Sequence, residues 1–243
     1  MIEVKTHKAP FGRMGGKSKL AKTLIKMFPD NYDTYVEPFV GAGNVYFRIP
    51  YKVSKEVIND LDEDIYIVMK SLKENADNIN KNIKRGLISK EHFNKHINSK
   101  DPARIIEGIK SSFLGNRRGH NTDRPIKTDF SVYGERLKDT IIINKSFEKV
   151  IQKYDSKNTF FYLDPPYESE NKKDYKHNDV EPIDVYNAVK GIKGKFMISY
   201  NYSKNVKDVF QEYNIYTVKT KYAQTQNIEA RNVKELVITN YKI

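Results

Sequence analysis

The stretch Thr159-Phe160-Phe161-Tyr162-Leu163-Asp164-Pro165-Pro166-Tyr167 decides the fold, because an apolar run of strand length stops abruptly at a carboxylate and two prolines. The first five residues read as a strand. Consecutive prolines fix φ and remove backbone donors, so the Pro165 carbonyl points in one direction. A carboxylate beside a rigid carbonyl suits an exocyclic amine such as that of adenine, whose lone pair is conjugated into the ring. With both N–H bonds held by acceptors, that nitrogen becomes a better nucleophile. Tyr167 adds a flat face for a base turned out of its helix. The plain alternative is a strand ending in an ordinary Pro-Pro turn.

Outward from this stretch, strand-like runs alternate with helical segments. The runs are Thr34 to Phe39, Glu56 to Asn59, Thr140 to Asn144, Lys195 to Tyr200, Asn214 to Val218 and Val233 to Thr239. Together with Thr159 to Leu163 they predict an α/β fold, doubly wound, with a mostly parallel seven-stranded sheet. A charged, mainly helical stretch separates the second run from the third, about Ile65 to Lys138. A βαβ unit needs only about 30 residues, so this stretch is expected to be an inserted domain. The division is a catalytic domain of residues 1–64 and 139–243, with residues 65–138 inserted. Apolar residues at helical spacing from Ile65 to Ile109 are expected to pack in a core.

Val36-Glu37-Pro38-Phe39-Val40-Gly41-Ala42-Gly43 carries the second signal, followed by a helix expected from Asn44 to Arg48. Glycines 41 and 43 allow a tight turn and close approach of a ligand to the end of a strand. Asp60 closes the next run, 19 positions after Gly41, where a carboxylate can accept from ribose hydroxyls. The combination implies a nucleoside cofactor. Tyr46 interrupts the fuller glycine pattern of dinucleotide sites, so S-adenosylmethionine, which carries no phosphate, fits better. Gly15-Gly16-Lys17-Ser18 imitates a nucleotide-binding phosphate loop, but Phe11 stands where the earlier glycine belongs and no apolar strand precedes it.

Composition bounds the partners. The chain has 43 Lys and Arg against 31 Asp and Glu, a net charge of +12, and a pI near 9.4. Such a balance favours a polyanion, though it also serves solubility. No cysteine is present, which excludes disulfides and Cys-ligated zinc or iron–sulfur sites. The N-terminus has no apolar core of signal-peptide length and no apolar run is long enough to span a bilayer, so a soluble, intracellular protein is expected. His92, His96 and His120 lack acidic neighbours at a recognisable ligand spacing, and no metal is expected.

With these residues in order, the chain resembles the Dam-like, D12-class DNA adenine-N6 methyltransferases over nearly its whole length. Pro10-Phe11 with Gly15-Gly16-Lys17 looks like the family's N-terminal cofactor segment, and Glu37 to Gly43 like its methionine-binding turn. Asn59-Asp60 matches the ribose position, and Ser146-Phe147-Glu148 the segment whose aromatic packs beside the cofactor adenine. Asp164 to Tyr167 is the catalytic motif. Ser199-Tyr200-Asn201 and Lys234 to Tyr241 match in character and place, and the order of segments is that of the alpha group. Two departures stand out: Arg13-Met14 replaces a Trp that family members usually carry, and Ser146 replaces an Asp.

The resemblance implies a site-specific DNA methyltransferase with a seven-stranded methyltransferase sheet, acting on a flipped adenine in double-stranded DNA. Implied catalytic residues are Asp164, Pro165, Pro166 and Tyr167. Arg13, Gly15, Gly16, Lys17, Glu37, Phe39, Gly41, Gly43, Asp60, Phe147 and Asp164 would bind S-adenosyl-L-methionine. In the inserted segment, Asn116, Arg117, Arg118, His120, Asn121 and Arg124 are expected to contact DNA, within a Phe113 to Arg124 stretch that reads equally as a solvated basic loop. Glu168 to Asn178 is expected to be a mobile loop, with Tyr175 and His177 ordering over the substrate. A companion restriction endonuclease and a monomer or weak dimer complete the expectations. The alternatives are an RNA or protein amine methyltransferase, where Asn generally replaces Asp164, and a catalytically silent DNA-binding relative.

Overall fold

The computed structural model describes residues 1–13, 15–112, 115–121, 125–167, 180–222 and 231–243. Met14, Phe113, Leu114, Arg124, Tyr175 and His177 lie outside the described residues, as does the whole of the expected mobile loop. The elements run β1 (Ile2–Glu3), α1 (Ala21–Ile25), β2 (Thr34–Glu37), β3 (Tyr51–Lys52), β4 (Lys55–Asn59), α2 (Glu63–Asn82), α3 (Lys90–His96), α4 (Pro102–Lys110), α5 (Ser131–Leu137), β5 (Ile141–Ile143), α6 (Phe147–Tyr154), β6 (Thr159–Leu163), α7 (Pro182–Val189), β7 (Lys195–Asn201), α8 (Lys204–Val209), β8 (Asn214–Tyr222) and β9 (Arg231–Thr239).

Seven strands form one sheet in the order β5-β4-β2-β6-β7-β9-β8. The first five are parallel neighbours, and β9 runs antiparallel between β7 and β8. Each of the seven expected runs is a strand of this sheet. β6 is buried along its whole length, since helices cover both faces of a mostly parallel sheet. From β2 the chain winds outward through β4 to β5, then returns to the other side of β2 at β6. The strand order therefore reverses between β2 and β6, and the carboxyl ends of those strands open the crevice where ligands bind in such sheets.

Two apolar clusters sandwich the sheet. On one face α6, α7 and α8 contribute Val150, Ile151, Val185, Val189 and Val206 over Val36, Phe161 and Ile198. On the other, α1 to α5 pack in one continuous cluster with Tyr35, Ile58, Phe160 and Tyr162. No core boundary falls at residue 64 or 138: Ile65, Val68, Met69 and Leu72 of α2 share the cluster with the sheet, as do Phe93, Ile105 and Ile106 of α3 and α4. The helices after α2 are an extension of the same core. α2 starts at an Asp62 cap that accepts from the Asp64 amide, and its backbone leaves helical geometry at Asn75 (φ −158°, ψ 63°).

The helix expected from Asn44 to Arg48 is a turn followed by a 3₁₀ segment at Tyr46–Arg48. Tyr46 explains the tightness. Its hydroxyl is held by Glu56 at 2.9 Å and by Thr140 at 2.6 Å, with the Arg136 guanidinium over its ring, so tertiary anchoring replaces a longer helix.

Candidate active site

The carboxyl ends of β2, β4 and β5 are fastened together before any ligand is considered. Asn59, at the end of β4, is fully buried; its amide donates to Pro38 O at 2.8 Å and Lys145 O at 3.0 Å, and its carbonyl accepts from Lys145 N at 2.9 Å. One side chain thus ties the turns after β2 and β5 to the end of β4. Asp60 follows. Its Oδ2 accepts from Gly41 N at 2.8 Å and its Oδ1 from Asp62 N at 2.9 Å. Burial pushes the Asp60 carboxyl up, opposed by Arg13 and by the two amides.

These turns surround a cleft of about 1010 Å³, counting the solvent at its mouth. Of the residues expected at the cofactor and catalytic sites, Arg13, Gly15, Gly16, Lys17, Glu37, Phe39, Gly41, Asp60 and Phe147 line it, together with the whole of Asp164 to Tyr167. The rings of Phe39 and Phe147 lie 5.1 Å apart at its wall. Gly41 has φ +50°, and a Cβ there would meet nothing within 4 Å. The sequence argument for Gly41 therefore stands on the backbone and on its amide, which reaches Asp60.

Gly43 corrects the expectation. It does not line the cleft; at φ +71° a Cβ would lie 2.6 Å from the Phe47 ring. Its role is close packing behind the turn. Asp62 was not foreseen from the sequence, yet it lines the cleft, caps α2 and pairs with Arg13 at 2.9 Å. The signal was available, since an Asp directly before an apolar-periodic stretch is a helix cap.

Charge converges at the catalytic turn. Lys17 is wholly buried, and its Nζ donates to Asp164 Oδ1 at 2.5 Å, to the Tyr167 hydroxyl and to Gly15 O at 3.2 Å. The same ammonium stands 4.3 Å from the Tyr167 ring centroid. The Asp164 side chain keeps one-fifth of its surface open to the cleft. Burial raises its carboxyl above the usual range, against the pull of Lys17 and the Ser199 hydroxyl. Glu37, buried and bonded by the Tyr35 hydroxyl at 2.6 Å, is pushed well above its ordinary value by burial, with the Tyr35 bond opposing. Lys17 thus serves Asp164 and Tyr167.

The expected DNA-contact residues divide. Arg118 and Asn121 are exposed, and Asn116 is partly so. Arg117 is a correction: it is 9% exposed, bends back at φ +56°, and donates from Nη1 to Asp64 Oδ2 at 2.5 Å and from Nη2 to the Ile97 carbonyl. A buried guanidinium so engaged cannot reach a base edge. His120 is also turned inward, with Nε2 2.5 Å from the Ile88 carbonyl and its ring against Phe93. Among the described residues no group of three His, Cys, Asp or Glu is placed to hold a metal ion.

The sequence profile of the D12 class N6 adenine-specific DNA methyltransferases matches residues 14–106 and 110–224. The Type II methyltransferase M.CviBI of Paramecium bursaria Chlorella virus NC1A is 22% identical, over 93% of this chain and 97% of its own length. M1.LlaDCHI of Lactococcus lactis subsp. cremoris is 23% identical, over 93% of each. M.MjaIII of Methanocaldococcus jannaschii is 25% identical, over 93% of this chain and 96% of its own length.

Proposed function

The chain belongs to the D12 class N6 adenine-specific DNA methyltransferase family, and from that premise we propose which of its residues carry the reaction. It is a site-specific DNA methyltransferase that uses S-adenosylmethionine as methyl donor. The observation that carries the residue assignment is the cleft at the strand-order reversal, which joins the Gly41–Asp60 turn to the Asp164–Tyr167 turn.

The cleft's chemistry suits this donor. Four carboxylates (Glu37, Asp60, Asp62, Asp164) line it against three cations (Arg13, Lys17, Lys145). Arg13 and Lys17 are already paired with Asp62 and Asp164. With those two cations engaged by carboxylates, the lining offers no cluster of cations to a phosphate, which suits a nucleoside without one. When bound, S-adenosylmethionine supplies an electrophilic methyl group on a sulfonium. Phe39 and Phe147 offer flat apolar surface to the adenine, and Asp60 lies beside the ribose position.

On the target side, the Tyr167 ring receives an adenine extruded from double-stranded DNA. Asp164 and the Pro165 carbonyl hold its amine in line with the methyl group, so positioning and matched electrostatics do most of the catalytic work. As the new N–C bond forms and the S–C bond breaks, the electron pair returns to sulfur. The amine proton leaves late, toward Asp164 or solvent. Arg118 and Asn121, exposed beyond α4, are proposed to contact the duplex. The Type II names of the relatives support a companion endonuclease, and a DNA substrate supports an intracellular enzyme. Asp164→Ala tests the assignment: labelled methyl transfer is lost while DNA binding survives. Strong residual turnover in that variant overturns it.

A further inference from the structure

The catalytic turn is fastened from neighbouring strands, and its lone pairs can be counted. Asp164 Oδ1 accepts from Lys17 Nζ at 2.5 Å and from Ser199 Oγ at 3.0 Å, which occupies that oxygen. Oδ2 has no partner among the described residues and is left for the cleft. Ser199 is wholly buried on β7, and its hydroxyl also lies 2.9 Å from the Tyr162 hydroxyl. A serine has one proton. Because Ser199 gives it to Asp164, Tyr162 must donate to Ser199, and this fixes the direction of the chain Tyr162→Ser199→Asp164.

At the other end of the turn, the Tyr167 hydroxyl accepts from Lys17 and donates to Glu235 Oε2 at 2.8 Å. Glu235 is 1% exposed on β9. The register pairs Asn201 with Glu235 and Ser199 with Val237, so Ser199 and Glu235 share one sheet face, two positions apart along adjacent strands. The turn therefore rests on two buried acceptor–donor posts, one under Asp164 and one under Tyr167.

We propose that Ser199 and Glu235 are positioning residues for methyl transfer: Ser199 occupies Oδ1 of Asp164 so that Oδ2 faces the amine, and Glu235 ties the Tyr167 hydroxyl so that its ring stays flat beneath the extruded base. The inference rests on the adenine-N6 reading of the same site. Without Ser199 the carboxylate rotates about its terminal bond and loses a donor to its ionised form. Both effects act on the chemical step. Without Glu235 the aromatic platform loses its rigid tether, which acts on capture of the base.

The two posts have separable readouts. Ser199→Ala is expected to lower kcat about tenfold, the cost of one lost hydrogen bond in a positioned site. KM for DNA and affinity for S-adenosylmethionine stay unchanged, and the acid limb of the kcat profile moves to higher pH. Ser199→Thr, which keeps the hydroxyl, restores both. Glu235→Ala is expected to raise KM for DNA and to weaken the fluorescence rise of 2-aminopurine placed at the target adenine. Glu235→Gln, which still accepts from Tyr167, recovers most of that signal. Unchanged kcat and acid limb in Ser199→Ala, or wild-type extrusion in Glu235→Ala, overturns the inference and leaves the parent reading standing. A wild-type chain that transfers no methyl to DNA instead brings down the parent reading and the inference with it.

Discussion

Lys17 Nζ stands 2.5 Å from Asp164 Oδ1, although 147 residues separate the two in the chain. The N-terminal loop thus delivers the only cation that touches the catalytic turn among the described residues. Lys17→Met removes that partner from a carboxyl that burial already raises. The acid limb of methyl transfer is expected to move to higher pH, read from kcat against pH. An unmoved limb would show that Lys17 does not set the charge of Asp164.

The wild-type pH profile has a definite sign. The acceptor is ionised Asp164, so transfer falls as pH drops through its raised native value, above the roughly 3.9 of an unperturbed aspartate. Stability goes the other way. A carboxyl with a raised native value binds its proton more tightly when folded, so its contribution is full below the unfolded value and is lost as pH rises through the native one. Glu37, pushed well above its ordinary value by burial, acts in the same sense. Glu37→Gln is therefore expected to flatten the decline of thermal stability above about pH 4.5.

Gly41 and Gly43 separate by experiment despite their shared motif. Gly41→Ala introduces left-handed strain of about 1–2 kcal/mol where the added Cβ meets no protein atom, so stability falls modestly and S-adenosylmethionine affinity falls with the distorted turn. Gly43→Ala drives a methyl into the Phe47 ring. Its cost appears mainly in melting temperature. Equal losses of donor affinity in both variants would contradict the separation.

Arg117 and Arg118 are adjacent and unlike. Arg117→Ala leaves buried Asp64 with Lys100 as its remaining cation and is expected to cost about 1–3 kcal/mol of stability. Arg118→Ala is expected to leave stability nearly unchanged and to reduce the slope of log affinity for DNA against log salt by about one, if it meets a phosphate. An unchanged slope and unchanged sequence preference would remove Arg118 from the interface.

The sequence was most legible where the backbone pattern was local. All seven strands of the sheet were visible as runs bounded by turn residues, and Glu37, Phe39, Gly41, Asp60 and Phe147 line the cleft because they stand at or just after the carboxyl ends of β2, β4 and β5, while Arg13, Gly15, Gly16 and Lys17 reach it from the N-terminal loop. What escaped depends on distant partners. Arg117 reads as a basic loop residue until Asp64, 53 positions earlier, claims its guanidinium. Gly43 reads as a ligand turn until Phe47 fills the space beside it. Ser199 and Glu235 are ordinary strand residues until the sheet order sets them under Asp164 and Tyr167. The inserted helices read as a separate domain because the stretch is too long for a single crossover, while the buried stripe of α2 joins them to the sheet's own core.

The most direct test is single-molecule sequencing of DNA from an adenine-unmodified host that expresses the chain, beside the same host expressing Asp164→Ala. The account predicts N6-methyladenine at one short motif with the wild type and none with the variant. Unmodified adenine in both, from a protein that binds S-adenosylmethionine, would contradict it.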